Sequence, residues 1–515
     1  MHPIPIRCAL RAVAALALIT ATGYAVAGKS NNTLNVAFPR EVLTLDGLYS
    51  NLRENDILSL VVDDALYTVN PETLQPQPLA ALSHKIVDDR TIEVELRRGV
   101  KFHDGSEMTA EDVAYSFNWT IDPKSGSNFT RRIAFWLENA TATGPYTVRF
   151  RLKAPYAMFL YDLSYYSKIR KKGAYDKKEG GNDPTAQSLK LNSNGPYRVT
   201  EFRPGQRIAL QRFKDYRKDS PKSMAQIENI VIRTIPDWST QAAEVMSGGI
   251  DWTYQVPYEI AEDVAKSGRA LHVSGPSMRI GYIVMDAVGK HQPKNPFANV
   301  KVRQAVNHAI DRDAIATKLV KGTAKALHVA CNPLQFGCTE EVRKYEYSPQ
   351  KAKALLAEAG YPNGIEVEFW AARERPIMEA IVNQLSQAGI KASLRYVKGP
   401  TLGKARRDGQ IAIYYGSSGS FSVPDAGAVV PDKFSPESDE NYTGNPEVGK
   451  LVAGAVSSYD PKVRARNFQG ALQLIAENAY WAPVYRYSEE YLIGRDVAFT
   501  APKDGMQRLF LVRWK

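Results

Sequence analysis

The sequence predicts an α/β protein built from two lobes, and three observations point that way. The chain is 515 residues long, more than one compact core usually organises. Its 44% hydrophobic and 23% charged residues are those of a globular protein. From about residue 300 onward, helix-period segments alternate with short strand-like runs, the pattern of strands laid side by side with helices packed on them.

The elements follow in order. Leu34–Phe38 alternates and reads as a strand, as does Thr91–Leu96. Lys101-Phe102-His103-Asp104-Gly105 carries an Asp-Gly turn, and Thr109 with Asp112 reads as a capping box opening a helix. After the turn Asn194-Gly195-Pro196-Tyr197, residues 198–203 and 207–212 flank Pro204-Gly205-Gln206 as a hairpin. Ile230–Ile235 and Ile280–Met285 are further strands, and Thr240–Gly248 is a short helix. Asn299 caps an amphipathic helix with Val302, Ala305, Val306, Ala309 and Ile310 on one face. Ser348-Pro349 opens another helix, ended by Gly360. Strand Ile365–Trp370, helix Ile377–Ala388, strand Lys391–Tyr396 and strand Ile411–Tyr415 complete a lobe with a largely parallel sheet.

The N-terminus predicts export. Arg7 and Arg11 precede an apolar run from Ala12 to Ile19, and Ala25-Val26-Ala27 fits a small-x-small cleavage site. Residues 1–27 read as a signal peptide, with Gly28 first in the mature chain. The apolar run is too short and too interrupted for a membrane span. Cys8 lies in the signal. Cys331 and Cys338 remain, separated by a turn containing Pro333 and Gly337, and in an oxidising compartment they predict a disulfide.

Other features argue against nucleic acid and against catalysis. The net charge of +11 is dispersed. Arg170-Lys171-Lys172, the densest basic run, reads as a solvated loop, and the acidic pairs Asp63-Asp64 and Asp88-Asp89 read as solvated too. Gly23–Ser30 matches a phosphate-loop pattern but straddles the cleavage site and opens no helix. Gly416-Ser417-Ser418-Gly419-Ser420 lacks the glycine a nucleophile elbow needs. The seven histidines are scattered without metal-ligand spacing. No catalytic residue, metal or cofactor is expected, although a secreted hydrolase stays open as an alternative.

Several segments in order resemble one family. They are Leu96–Gly105 with Thr109–Val113, Asn194–Tyr197, Val302–Arg312, and Ala352–Pro362. By these the chain resembles the extracytoplasmic solute-binding proteins of the oligopeptide/dipeptide class, family 5, which serve bacterial ABC importers. The resemblance implies a periplasmic-binding-protein type II-like fold, two α/β lobes joined by a hinge, with an extra inserted subdomain. It apportions the chain as lobe I at 28–66, 195–287 and 487–515, an insert at 67–194, and lobe II at 288–486. It implies a periplasmic monomer that captures a short peptide or peptide-like molecule between the lobes and delivers it to permease subunits in the inner membrane. A non-peptide solute (opine, glycan or haem) is the alternative.

The resemblance also locates the ligand. Arg373 and Arg375 lie where relatives place a carboxylate-binding arginine. The loop Ser417–Asp425 lies where peptide-binding relatives hold the ligand's amino terminus through an aspartate. Here that position falls at Ser420, and Asp425 is the loop's only carboxylate. The expected ligand contacts are therefore Arg373, Arg375, Ser417, Ser418, Ser420, Phe421 and Asp425.

Overall fold

Two long strands run through the middle of the molecule and join its halves. In the computed structural model, which describes residues 28–176, 191–291 and 295–515, strands Ala270–Met285 and Trp481–Gly494 pair antiparallel along nearly their full length. They are neighbours in one eleven-stranded sheet. On one side follow Trp252–Tyr254, Thr33–Phe38, Asn229–Thr234 and the hairpin Arg207–Arg212 with Tyr197–Arg203. On the other side follow Ile413–Ser418, Ile365–Ala371 and Ile390–Tyr396. Those last three are mutually parallel. The parallel run expected in the second lobe stops at the first crossing strand, Ala270–Met285, which runs antiparallel both to Ile413–Ser418 and to Trp481–Gly494.

Local chemistry sets the helices. Thr109 N donates to Asp112 Oδ2 at 2.8 Å, closing the capping box of Ala110–Ile121. Asn299 Oδ1 accepts from Lys301 N at 2.9 Å to start Val300–His308. Ser348 caps Pro349–Glu358 with proline at its first turn. Helices Pro446–Ser457 and Pro461–Glu477, for which no pattern was read, cover the second lobe.

The buried apolar side chains gather around these sheets. One core joins Leu34, Val36 and Phe38 to Trp252, Tyr254, Tyr491 and Phe510. Two others hold Ile283, Val302, Phe369 and Tyr415, and Ile280, Tyr282, Phe468 and Trp481. The first crossing strand thus belongs to both lobes. Its pairing with the second crossing strand shifts register between Pro276 and Ile280 and again between Gly281 and Tyr282. A four-stranded antiparallel sheet (Ala81–Asp88, Thr91–Leu96, Thr147–Leu152, Leu137–Gly144) heads a separate core running from Leu48 to Tyr175. That core also takes in Val423 and Ala428 from the far lobe.

Three charged positions depart from the solvated reading. Arg170 is 2% exposed, and it donates to Asp63 Oδ1 at 2.6 Å and Asp46 Oδ1 at 2.9 Å. Asp63 and Asp64 are buried as well, with Lys222 Nζ 3.2 Å from Asp64 Oδ1. The reason is tertiary: Arg170 meets aspartates more than 100 residues earlier in the chain. Lys171, Lys172, Asp88 and Asp89 are exposed. Cys331 and Cys338 are bonded to each other across their turn, with Cα atoms 5.9 Å apart. Among the described residues no helix is long and apolar enough to cross a membrane. The signal-peptide segment, 1–27, lies outside the described residues.

Candidate functional site

The side chains that could meet a small polar ligand collect where the crossing strands pass between the lobes. The pleat of Trp481–Gly494 alternates its side chains, so Tyr485, Tyr487 and Glu489 share one face and Ser488 and Glu490 take the other. On the opposite face Glu490 is occupied: His272 Nε2 lies 2.5 Å from its Oε2, and Ser274 and Ser488 donate to it. Ser274 Oγ reaches the same His272 Nε2 at 3.3 Å, so one ring nitrogen faces both partners and no serine-histidine-acid relay forms.

The first face is differently composed. Arg279 sits in the register break of the first crossing strand, a kind of irregularity that re-aims side chains. Its Nη1 donates to Ser417 Oγ at 3.1 Å, and Arg373 Nη1 donates to the same oxygen at 3.3 Å. Gly419 makes room for this approach, since a Cβ there would meet Arg279 Nη2 at 3.2 Å. Burial lowers the Arg279 pKa, and the positive charges of Arg373 and Arg53 lower it further, against Tyr487 and Glu374. Among the described residues none of Arg53, Arg279 and Arg373 makes an ion pair, whereas Arg40, Arg170 and Arg464 do.

Glu374, between the two expected arginines, has φ of 54°, a left-handed conformation that non-glycine residues seldom adopt. Its Oε2 accepts from Tyr487 Oη at 2.6 Å, and the Tyr487 and Tyr415 hydroxyls are 2.8 Å apart. Glu489 leaves the same face of the strand as Tyr487. Its Oε1 is buried without a hydrogen-bond partner, and burial pushes its carboxyl up to about 7 against the pull of Arg53 and Arg279.

The structure therefore brings Arg373 and Ser417 together and adds Arg53, Arg279, Glu374, Tyr487 and Glu489, none of which the sequence reading chose. Ser418 adjoins Ser417 on the same strand and accepts weakly from Ser420 N. Ser420 itself is buried, with Oγ donating to Val423 O. It opens a run of three left-handed residues, Ser420, Phe421 and Ser422, with φ of 46°, 50° and 62°. That run holds Phe421 out, 45% exposed, with its ring edge-on to Tyr166 of the insert.

Two expected contacts are already paired within the protein. Arg375 is on the exposed flank of helix Arg375–Gln387, paired with Glu379 at 2.9 Å. Asp425 is 1% exposed, and Arg464 Nη2 donates to its Oδ1 at 2.9 Å. Its loop end packs under the insert, where Val423 and Ala428 enter that core. No local signal marked the missed residues, because Arg53, Arg279, Glu374 and Glu489 come from four distant segments. The one usable cue was the alternation Tyr485, Tyr487, Glu489.

Two lobes strung on crossing strands, with unpaired charges on the hinge face, define a bilobed binding protein. The family model described as bacterial extracellular solute-binding proteins, family 5 Middle, matches residues 75–440, and the chain belongs to this family. The glutathione-binding protein GsiB of Escherichia coli (strain K12) is 26% identical over 455 residues, covering 84% of this chain and 85% of GsiB. Among solved structures, HbpA2 from Haemophilus parasuis matches with a TM-score of 0.80 at 23% identity, covering 94% of this chain and 100% of that one. DppA from Helicobacter pylori, in complex with peptide STSA, matches with a TM-score of 0.77 at 22% identity, covering 94% and 98%. At these identities the structural matches establish the shared fold.

Proposed function

We propose that this chain is the periplasmic substrate-binding component of an ABC importer, a monomer freed from a cleavable signal peptide. It holds a short peptide or peptide-like acid between its lobes and presents it to permease subunits in the inner membrane. The observation that carries the ligand class is the convergence of Arg279 and Arg373 on Ser417 Oγ without an acidic partner. Two guanidiniums spending donors on one neutral hydroxyl leave others for a carboxylate, which suits their planar fork. Arg373 and Ser417 come from the second lobe and Arg53 from the first, so a ligand on Arg373 is covered as the lobes close about the hinge. Closure excludes water and strengthens each charged contact. The relatives' names support the peptide class: GsiB is named for glutathione, and DppA was solved with a peptide.

The test combines native mass spectrometry of the exported protein with calorimetry on the ligand it carries. Arg373→Ala is expected to weaken binding by about 30-fold, the effect of losing a charge-assisted contact in a closed site. An Arg373→Ala affinity within about twofold of wild type would refute this placement. Chemical turnover of the carried molecule would refute the binding-protein reading itself.

A further inference from the structure

We propose that Arg53, Arg279 and Glu489 form a receptor for a ligand end bearing an ammonium and a carboxylate on one carbon, as at the γ-glutamyl end of a peptide. The inference rests on the peptide reading above and names which peptides fit.

Glu489 Oε1 is closed off from solvent and has no hydrogen-bond partner, so the folded chain leaves a buried acceptor unused. Such groups normally find partners. Arg53 and Arg279 both lie close enough to act on the charge of Glu489, yet neither makes an ion pair with it. Each spends a donor on a weak or neutral acceptor instead: Arg53 Nη1 on Met506 Sδ at 3.2 Å, Arg279 Nη1 on Ser417 Oγ. A ligand group carrying both an ammonium and a carboxylate, entering as the lobes part, would supply the partner that each of these three groups lacks.

Charge balance selects the group. With Glu489 ionised, the state that an arriving ammonium favours, two arginines and one glutamate carry one net positive charge. The end of an ordinary α-linked peptide brings an ammonium followed by a neutral carbonyl, which suits Glu489 but adds positive charge beside both arginines. A γ-linked glutamyl end brings its ammonium to Glu489 and the adjacent carboxylate to Arg53 and Arg279. The ligand's other carboxylate remains for Arg373. No bond forms or breaks; this is recognition.

The experiment is calorimetry with the S-methyl forms of two isomers, γ-linked and α-linked Glu-Cys-Gly, which leave the Cys331–Cys338 bond intact. Wild type is expected to bind the γ-linked isomer about tenfold or more tightly than the α-linked one. Glu489→Gln, nearly the same shape, is expected to weaken the γ-linked isomer by about 30-fold and to erase most of the preference. A thermal melt of Glu489→Gln no lower than wild type shows that the variant folds. Equal or tighter wild-type binding of the α-linked isomer overturns the proposal and leaves peptide capture standing. Binding of the γ-linked isomer by Glu489→Gln within about twofold of wild type also overturns it. So does binding of neither isomer, in which case the mass of the carried ligand decides the peptide reading separately.

Discussion

Two clusters of arginine and carboxylate sit under this protein's surface, and they are wired in opposite ways. At the joint between insert and first lobe, Arg170 contacts two carboxylates, and Tyr175 Oη adds a 2.5 Å bond to Asp46 Oδ2. Burial opposes the charge of Asp63, but Arg170 and Lys168 outweigh it and hold the carboxyl below its ordinary value. At the hinge, Arg53, Arg279 and Glu489 face one another without contact, and Glu489 is raised rather than lowered. The residue types are the same. What differs is whether opposite charges touch in the protein alone, and that separates a structural joint from a binding surface.

The sharpest way to break the comparison is to remove the cation from the closed cluster. Arg170→Met would leave Asp46 and Asp63 buried without their partner. The expected loss is about 3–5 kcal/mol of unfolding free energy, measured by urea denaturation, because a stranded buried charge costs more than the pair contributed. A loss under about 1 kcal/mol would mean that the insert is held mainly by its apolar core, in which Trp136, Phe150 and Tyr166 are buried.

The open cluster predicts the reverse sign. Folded Glu489 keeps its proton up to about 7, whereas an unfolded glutamate releases it near 4.5. Between those values the folded state binds more protons, so this group's contribution to stability falls as pH rises through the window. Without ligand, Glu489→Gln should therefore be more stable than wild type at pH 8, by up to about 3 kcal/mol, and equal to it at pH 4. Thermal melts at the two pH values check this. A destabilised Gln variant at pH 8 would show that Glu489 is ion-paired in solution and belongs with the closed clusters.

Both clusters escaped the sequence for one reason, while much of the fold did not. Caps are local: Thr109 and Asp112 are three residues apart, and Ser348 precedes its proline, so the helices they open were legible. So were the strands at 34–38, 91–96 and 365–370, whose alternation is internal to each. The long crossing strand was legible only as Ile280–Met285. Its first part contains Ser274-Gly275-Pro276-Ser277, which carries no strand alternation of its own, and it is extended by pairing with Gly494 through Ser488. Burial of Arg170 depends on Asp46 and Asp63, more than 100 residues away. Position in the family's order led to Arg373 and Ser417. It also led to Arg375 and Asp425, whose side chains turn to Glu379 and Arg464.

The smallest expected effect comes from Arg375, and it tests whether contact geometry rather than sequence position identifies a ligand arginine. Arg375 lies two residues from Arg373, carries the same charge, and follows the same strand. Its Nε donates to Glu379 Oε1 at 2.9 Å one helical turn away, with both side chains more than half exposed. Exposed pairs at this spacing contribute about 0.3–0.5 kcal/mol, because water screens the charges and ordering two long side chains costs entropy. Arg375→Ala should thus lower stability by no more than about 0.5 kcal/mol and leave ligand affinity within about twofold, since no contact at the hinge is lost. Calorimetry beside Arg373→Ala makes the comparison direct. If Arg375→Ala loses as much affinity as Arg373→Ala, the helix start must turn its Arg375 side chain inward when the ligand binds. The arrangement of Glu374 on Tyr487 would then belong to the unliganded state alone.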